Sequence, residues 1–289
     1  MKAAGITHGV ILAADTDPEN VDRPEISDML EVAYNNSTQS NLMPFENLKK
    51  HIKVSLGSDT FAGNEDVANW VSEHPEKLIG FGSVDLSKDG AYVGKKLESL
   101  AELGMRGINL LPHFQFFNPS RNKNMDLLLE FCSDMQMIVL SHSGCGHGPF
   151  EILELCRNAH PALWEPCLKK YPDFILVMAH FGAYTTRIPG IWLYEAMQMG
   201  KRYKNVYADL SYVGWILNTE CVVNEIRKTI TFDRVLFASG YPKPLTEGAS
   251  MTCIVSRIKA NSYLTEKEKR KVLGENAAKI LDIHSMSLG

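Results

Sequence analysis

The sequence predicts an α/β protein, a TIM-type (β/α) barrel that lacks its first strand. Three observations carry this. Short apolar runs alternate strictly with helix-like segments, as parallel α/β architecture requires. Two of the runs, Phe174-Ile175-Leu176-Val177-Met178-Ala179 and Met137-Ile138-Val139-Leu140, are apolar at every position, which suits strands buried on both faces. Both lead into a histidine, His180 and His142, and strand C-termini are where such folds place their chemistry.

Seven strands are predicted, near residues 9, 78, 106, 138, 174, 205 and 234. A complete barrel has eight, typically in about 250 residues. The first is the run through Val10-Ile11-Leu12 before the loop Asp15-Thr16-Asp17-Pro18. Residues 18–60 read as polar and irregular, with short helices over 26–34 and near 45–52. A connection of that length is functional or lid-like. Asn64 reads as a helix N-cap, with Val67, Ala68, Trp70 and Val71 as the apolar face and Pro75 after the end. A strand over 78–84 and a helix over 91–103 closed by Gly104 follow. Next come a strand over 106–111, a helix over 124–135 and a strand over 138–142. Helices are expected over 150–156 and 162–170, with Pro161 at a first helical position. The pattern continues with strand 174–180, helix 188–199, strand 205–209, helix 220–228 and strand 234–239. Helices over 249–259, 265–272 and 275–281 close the chain.

No G-x-G-x-x-G follows the first strand, which argues against a dinucleotide fold. There is no repeat or composition shift, so one domain over residues 1–289 is expected. The chain is 45% hydrophobic and 22% charged, the balance of a well-cored globule. Its formal charge of −4 leaves no electrostatic footprint for nucleic acid. No basic run and no apolar stretch of about 18 residues points to a membrane. The opening Met1-Lys2-Ala3-Ala4-Gly5 starts no signal peptide. Cys132, Cys145, Cys156, Cys167, Cys221 and Cys253 are scattered without a C-x-x-C pair. They read as reduced thiols of a cytoplasmic protein.

The strand ends offer His113, His142, His180, Asp209 and the turn Ser239-Gly240-Tyr241-Pro242. In a barrel these converge on one face. Imidazoles and a carboxylate meeting there suit a divalent metal, which polarises a carbonyl or acidifies a bound water. A second imidazole can move a proton. His8, His51, His74, His160 and His284 read as surface or capping residues, Trp70, Trp164, Trp192 and Trp215 as core or interface, and Arg106 as half of an ion pair.

Several pieces together resemble the amidohydrolase-related family of metal-dependent TIM-barrel hydrolases and decarboxylases. They are Gly104-Met105-Arg106-Gly107-Ile108-Asn109-Leu110, Leu140-Ser141-His142-Ser143-Gly144, Ala179-His180-Phe181-Gly182, Asn205-Val206-Tyr207-Ala208-Asp209, Phe237-Ala238-Ser239-Gly240-Tyr241-Pro242 and Gly274-Glu275-Asn276-Ala277. The resemblance implies Zn or Mn as cofactor and a small carboxylated or cyclic organic substrate. It makes His142 a metal ligand and His180 the acid/base that assists. His113 would line the substrate pocket, and Phe116 and Phe117 would help to wall it.

The sequence departs from the family pattern twice. The H-x-H pair of the family's first strand has no counterpart before Gly5. The last-strand turn, Gly-Ser-Asp-Tyr-Pro in the family, has Gly240 where the metal-binding Asp stands. Of four implied ligands only His142 remains. Asp209 is then the second candidate metal ligand, in a site rebuilt with His113 or with Cys145 and His147. Two functions follow: a metal-dependent hydrolase or decarboxylase, or a catalytically degenerate barrel acting as a binding or oligomerisation partner. The strand edges left by a missing first strand make a homodimer an expectation.

Overall fold

The computed structural model describes all residues except 58–60, 147–150, 186–187, 243–249 and 284–289, and the side chain of Gln39. Among the described residues there is one seven-stranded parallel sheet. Its strands are β1 (Gly9–Leu12), β2 (Leu78–Ser83), β3 (Gly107–Leu110), β4 (Ile138–Gly144), β5 (Leu176–Tyr184), β6 (Val206–Asp209) and β7 (Val235–Leu236). They lie in chain order, each paired in parallel with its sequence neighbour. The sheet curls into an open barrel with no β7–β1 pairing among the described residues. All seven predicted strands are present. The last is shorter than expected, and β5 runs past His180.

The period of two explains the apolar runs. Phe81, Ile138, Leu140, Val177, Ala179, Tyr207 and Leu236 form one cluster on the concave side, closed by Leu281. The alternate residues Val139, Leu176, Met178, Val206, Ala208 and Val235 join the larger core under the helices. Both faces are covered, so the strands are apolar throughout. β1 differs: Val10 and Leu12 stay 40% and 43% exposed, because nothing described pairs along its outer side.

Residues 18–56 hold the two helices expected there, and part of the chain read as irregular forms 3-10 turns. They form a 3-10 turn (Pro18–Asp22), α1 (Pro24–Asn35), a second 3-10 turn (Thr38–Asn41) and α2 (Phe45–Leu56). Ile26, Leu30 and Ala33 face Leu48, Ile52 and Leu56 in a core of their own, shared with Phe116, Ile152 and Leu155. The apolar residues have helical spacing, but the broad polar faces between them dilute the pattern.

The next helix is α3 (Asn64–Glu73), and its N-cap is Gly63 rather than Asn64. Asn64 is buried: its Nδ2 donates to the Ser83 carbonyl at 3.0 Å and its Oδ1 accepts from Ser83 N at 2.7 Å. The side chain that looked like a cap instead pins the helix to the end of β2. α4 (Gly90–Glu102) and α5 (Met125–Asp134) lie close to their expected bounds. Four further helices are α6 (Leu153–Cys156), α7 (Glu165–Lys170), α8 (Leu193–Arg202) and α9 (Glu220–Lys228). The chain closes with α10 (Met251–Lys259), α11 (Glu266–Arg270) and α12 (Asn276–Ile280).

Arg106 donates to the Leu281 carbonyl at 3.1 Å and so ties the C-terminal segment to the sheet, where an ion pair was expected. His160 caps as read, accepting from Ala162 N at 3.1 Å, while His284 lies outside the described residues. Trp164 and Trp192 are buried, whereas Trp70 and Trp215 are nearly half exposed. No helix among the described residues is long and apolar enough to cross a membrane.

Candidate active site

His142 reaches the mouth by simple alternation, following Ile138 and Leu140 on the concave side of β4, and only 7% of it is exposed. His180 does not. Ala179 is already concave, so a regular strand would send the next side chain toward the helices. Instead His180, Phe181 and Gly182 all take positive φ, at 59°, 52° and 66°. The β4–β5 register shifts here: His142 pairs with Ala179, but Gly144 pairs with Tyr184. Such a bulge re-aims a side chain. Left-handed geometry costs about 1 kcal/mol at each non-glycine residue. Gly182 cannot be otherwise, since a Cβ there would stand 2.8 Å from the Trp192 carbonyl.

The result is direct contact. His180 Nε2 lies 3.2 Å from His142 Nδ1. On its other side, His180 Nδ1 is 3.1 Å from the Ser211 carbonyl and 2.7 Å from Ser211 Oγ. Asp209, at the end of β6, accepts at Oδ1 from His180 N and Ser211 N, both at 2.9 Å, and from Ser211 Oγ.

These partners assign the protons. A carbonyl only accepts, so His180 Nδ1 carries hydrogen. Ser211 gives its own proton to the Asp209 carboxylate. In a neutral His180, Nε2 then bears the lone pair and His142 Nδ1 donates to it. The lone pair of His142 falls on Nε2. A directed chain therefore runs from His142 through His180 and Ser211 to Asp209.

His113, fully buried, stacks on this chain with ring centroids 4.0 Å from His142. Gln115 holds its turn: Oε1 accepts from Leu111 N, and Nε2 donates to the Asp15 and Val84 carbonyls at the ends of β1 and β2. The two aromatics expected to wall the pocket are placed otherwise. Phe116 is buried in the core of α1 and α2, and Phe117 in the main core. The rings that pack on the histidines are Phe114, 3.9 Å from His113, with Tyr184 and Tyr212 at 5.1 and 5.3 Å from His180. Tyr184 and Tyr212 lie within a few residues of the strand-end His180 and Asp209, and that proximity was the available signal.

Gly240 has φ +63°, and a Cβ built on it would stand 2.5 Å from the Tyr212 ring. The Tyr212 hydroxyl donates to the Gly240 carbonyl at 2.6 Å. Cys145, directly after β4, is disulfide-bonded to Cys156, which corrects the reading of six reduced thiols and removes its sulfur from any ligand set. The bond joins the β4 end to α6, whose Leu155 packs in the α1–α2 core. The proposed companion ligand His147 lies outside the described residues.

On the β1–β2 side Asp85 is buried and accepts from Asn20 Nδ2 and Ser87 N. Burial pushes its carboxyl above the ordinary range, partly offset by those donors. Burial and the hydrogen bond to Asp15 likewise raise Tyr92.

The family model of the amidohydrolases matches residues 51–283. The chain belongs to the amidohydrolase family. Solved structures agree on the fold. A 5-carboxyvanillate decarboxylase variant from Novosphingobium aromaticivorans, with bound manganese and a nitrobenzoic acid, superposes with a TM-score of 0.61 at 18% identity, covering 98% of this chain and 79% of its own. The 2,6-dihydroxybenzoate decarboxylase from Rhizobium gives 0.56 at 12%, covering 96% and 99%. A probable 2-pyrone-4,6-dicarboxylic acid hydrolase from Acinetobacter baumannii gives 0.58 at 16%, covering 78% and 81%. A search of curated proteins returns no match.

This amidohydrolase does not fit a divalent metal on its described residues. No group of three or more His, Cys, Asp or Glu stands close enough to hold an ion among them. His142 Nδ1 is engaged by His180, and Asp209 Oδ1 takes three donors.

Proposed function

We propose that this amidohydrolase acts on a small carboxylated aromatic or cyclic compound by proton transfer at His142 and His180, in a hydrolysis or a decarboxylation. The hydrogen-bonded chain His142–His180–Ser211–Asp209 carries the reading. The substrates in the names of the fold neighbours support the class.

His142 Nε2 presents a lone pair that can take a proton from a phenol or from an attacking water. Its Nδ1 proton is then passed to His180 Nε2. The cation formed on His180 is held through Ser211 by the Asp209 carboxylate. In a decarboxylation the proton returns to the ring carbon as the carboxylate leaves as carbon dioxide. In a hydrolysis it returns to the leaving oxygen after water attacks the carbonyl. Phe114, Tyr184 and Tyr212 supply flat apolar surface for a ring.

A panel of hydroxybenzoates bearing a second carboxylate, and of cyclic dicarboxylates, followed by chromatography, tests this. At least one compound should be consumed by the native chain and spared by His142→Ala. Neither turnover nor binding tighter than about 1 mM for any of them would end the proposal.

A second reading rests on Gly240 and the open β1 edge: a barrel that binds without turnover and pairs with its own copy. It predicts binding of a panel compound without consumption, and a dimer by light scattering. A monomer at micromolar concentration would count against the pairing.

A further inference from the structure

We propose that the mouth of this barrel is organised with no resident transition metal, its strand ends being held instead by the His142–His180 hydrogen bond and by the Tyr212 ring seated against Gly240. This goes beyond the proposed reaction and does not depend on it.

Three observations converge. First, β4 and β5 meet through imidazoles: Nδ1 of His142 and Nε2 of His180 share a hydrogen bond at 3.2 Å. A metal bound through either of these nitrogens would have to break that hydrogen bond. Second, one oxygen of the β6 carboxylate is already committed. Asp209 Oδ1 accepts from two backbone N–H groups and the Ser211 hydroxyl, an arrangement that orients His180. Third, position 240, in the turn after β7, has no room for a donor side chain. A side chain at position 240 would meet three atoms of the Tyr212 ring between 2.5 and 2.9 Å, and the Tyr212 hydroxyl fixes the ring there through the Gly240 carbonyl. Tyr212 itself is stacked 5.0 Å from Tyr184, so the ring cannot give way freely. A zinc-type centre needs three or four protein ligands. Among the described residues, no three His, Cys, Asp or Glu side chains converge on a shared point there.

The structural role of a metal, to bind neighbouring strand ends together, is thus carried by hydrogen bonds and an aromatic plug. Gly240 and Tyr212 form one unit: the glycine is required because the ring is there.

Two measurements decide it. Protein purified without chelator from medium supplemented with Mn²⁺ and Zn²⁺ should contain less than about a tenth of an equivalent of either. Its melting temperature should not move when Mn²⁺ is added. Close to one equivalent of either ion in the native chain would overturn the proposal. The second is a double-mutant cycle read by thermal unfolding. Gly240→Ala should lower the melting temperature by about 5 °C in the native background. In a Tyr212→Ala background it should lower it by less than half as much, leaving only the backbone cost of the positive φ. Equal losses in both backgrounds would show that the ring does not occupy that space, and would overturn the pairing.

Discussion

His180→Gln is expected to reduce turnover of the accepted substrate about a hundred- to ten-thousand-fold, the usual worth of a positioned acid/base. The melting temperature should stay close to the native value. Glutamine has nearly the length of histidine, and its carbonyl can accept from His142 as Nε2 does. It cannot take up a proton and release it again near neutral pH. Ser211→Ala acts one step further out. It removes the hydroxyl that lies between His180 Nδ1 and the Asp209 carboxylate but leaves the Ser211 carbonyl in place at 3.1 Å. Its effect should be smaller and fall on kcat rather than KM, because Ser211 orients a ring and steadies a charge. If His180→Gln keeps more than about a third of native kcat/KM, the proton does not travel through His180.

The largest effect on stability is expected at Arg234. Only 7% of this side chain is exposed, and Nη1 donates to the carbonyls of Gly200, Tyr203 and Val206 at 2.7, 2.8 and 3.2 Å. Those carbonyls mark the end of α8 and the start of β6, so one guanidinium closes the α8–β6 junction from the residue just before β7. Burial lowers its pKa from the ordinary arginine value, yet an arginine remains charged at any working pH. Arg234→Met keeps the stem and strands three acceptors in the interior. The cost is about 3 to 5 kcal/mol, or roughly 10 °C in melting temperature for a chain of this size. Urea unfolding measures it. Arg234→Lys should recover part of the loss, since an ammonium can still serve one or two carbonyls. A loss under about 1 kcal/mol would mean that water replaces the guanidinium at no cost.

Much of the fold was readable because burial on both faces leaves a plain trace. Ile138-Val139-Leu140 and Leu176-Val177-Met178 are apolar at every position, and both became strands. Their order along the chain then implied the parallel sheet. The two helices of residues 18–56 were read shorter than they are, since Leu30 and Ile52 stand among charges that face water. Asn64 was misread because a capping residue and a buried tether have the same chemistry. The candidate site divides in the same way. His142 follows from alternation alone, whereas the inward turn of His180 depends on a run of positive φ that a histidine and a phenylalanine do not announce. Phe116 and Phe117 were taken for pocket walls, but the backbone reverses between His113 and Phe117 and carries each ring to a different core. The Cys145–Cys156 bond was hidden because eleven residues separate its partners and nothing in their spacing marks a pair.

Among the described residues each inner strand pairs with the strands that precede and follow it in the chain, while β1 and β7 hold a single neighbour. Fraying must therefore begin at the flanks and move inward one strand at a time. The two strands that deliver the histidines lie near the centre of that series. Partial opening at either flank would leave the imidazole pair assembled, and the site would outlast the periphery of its own scaffold.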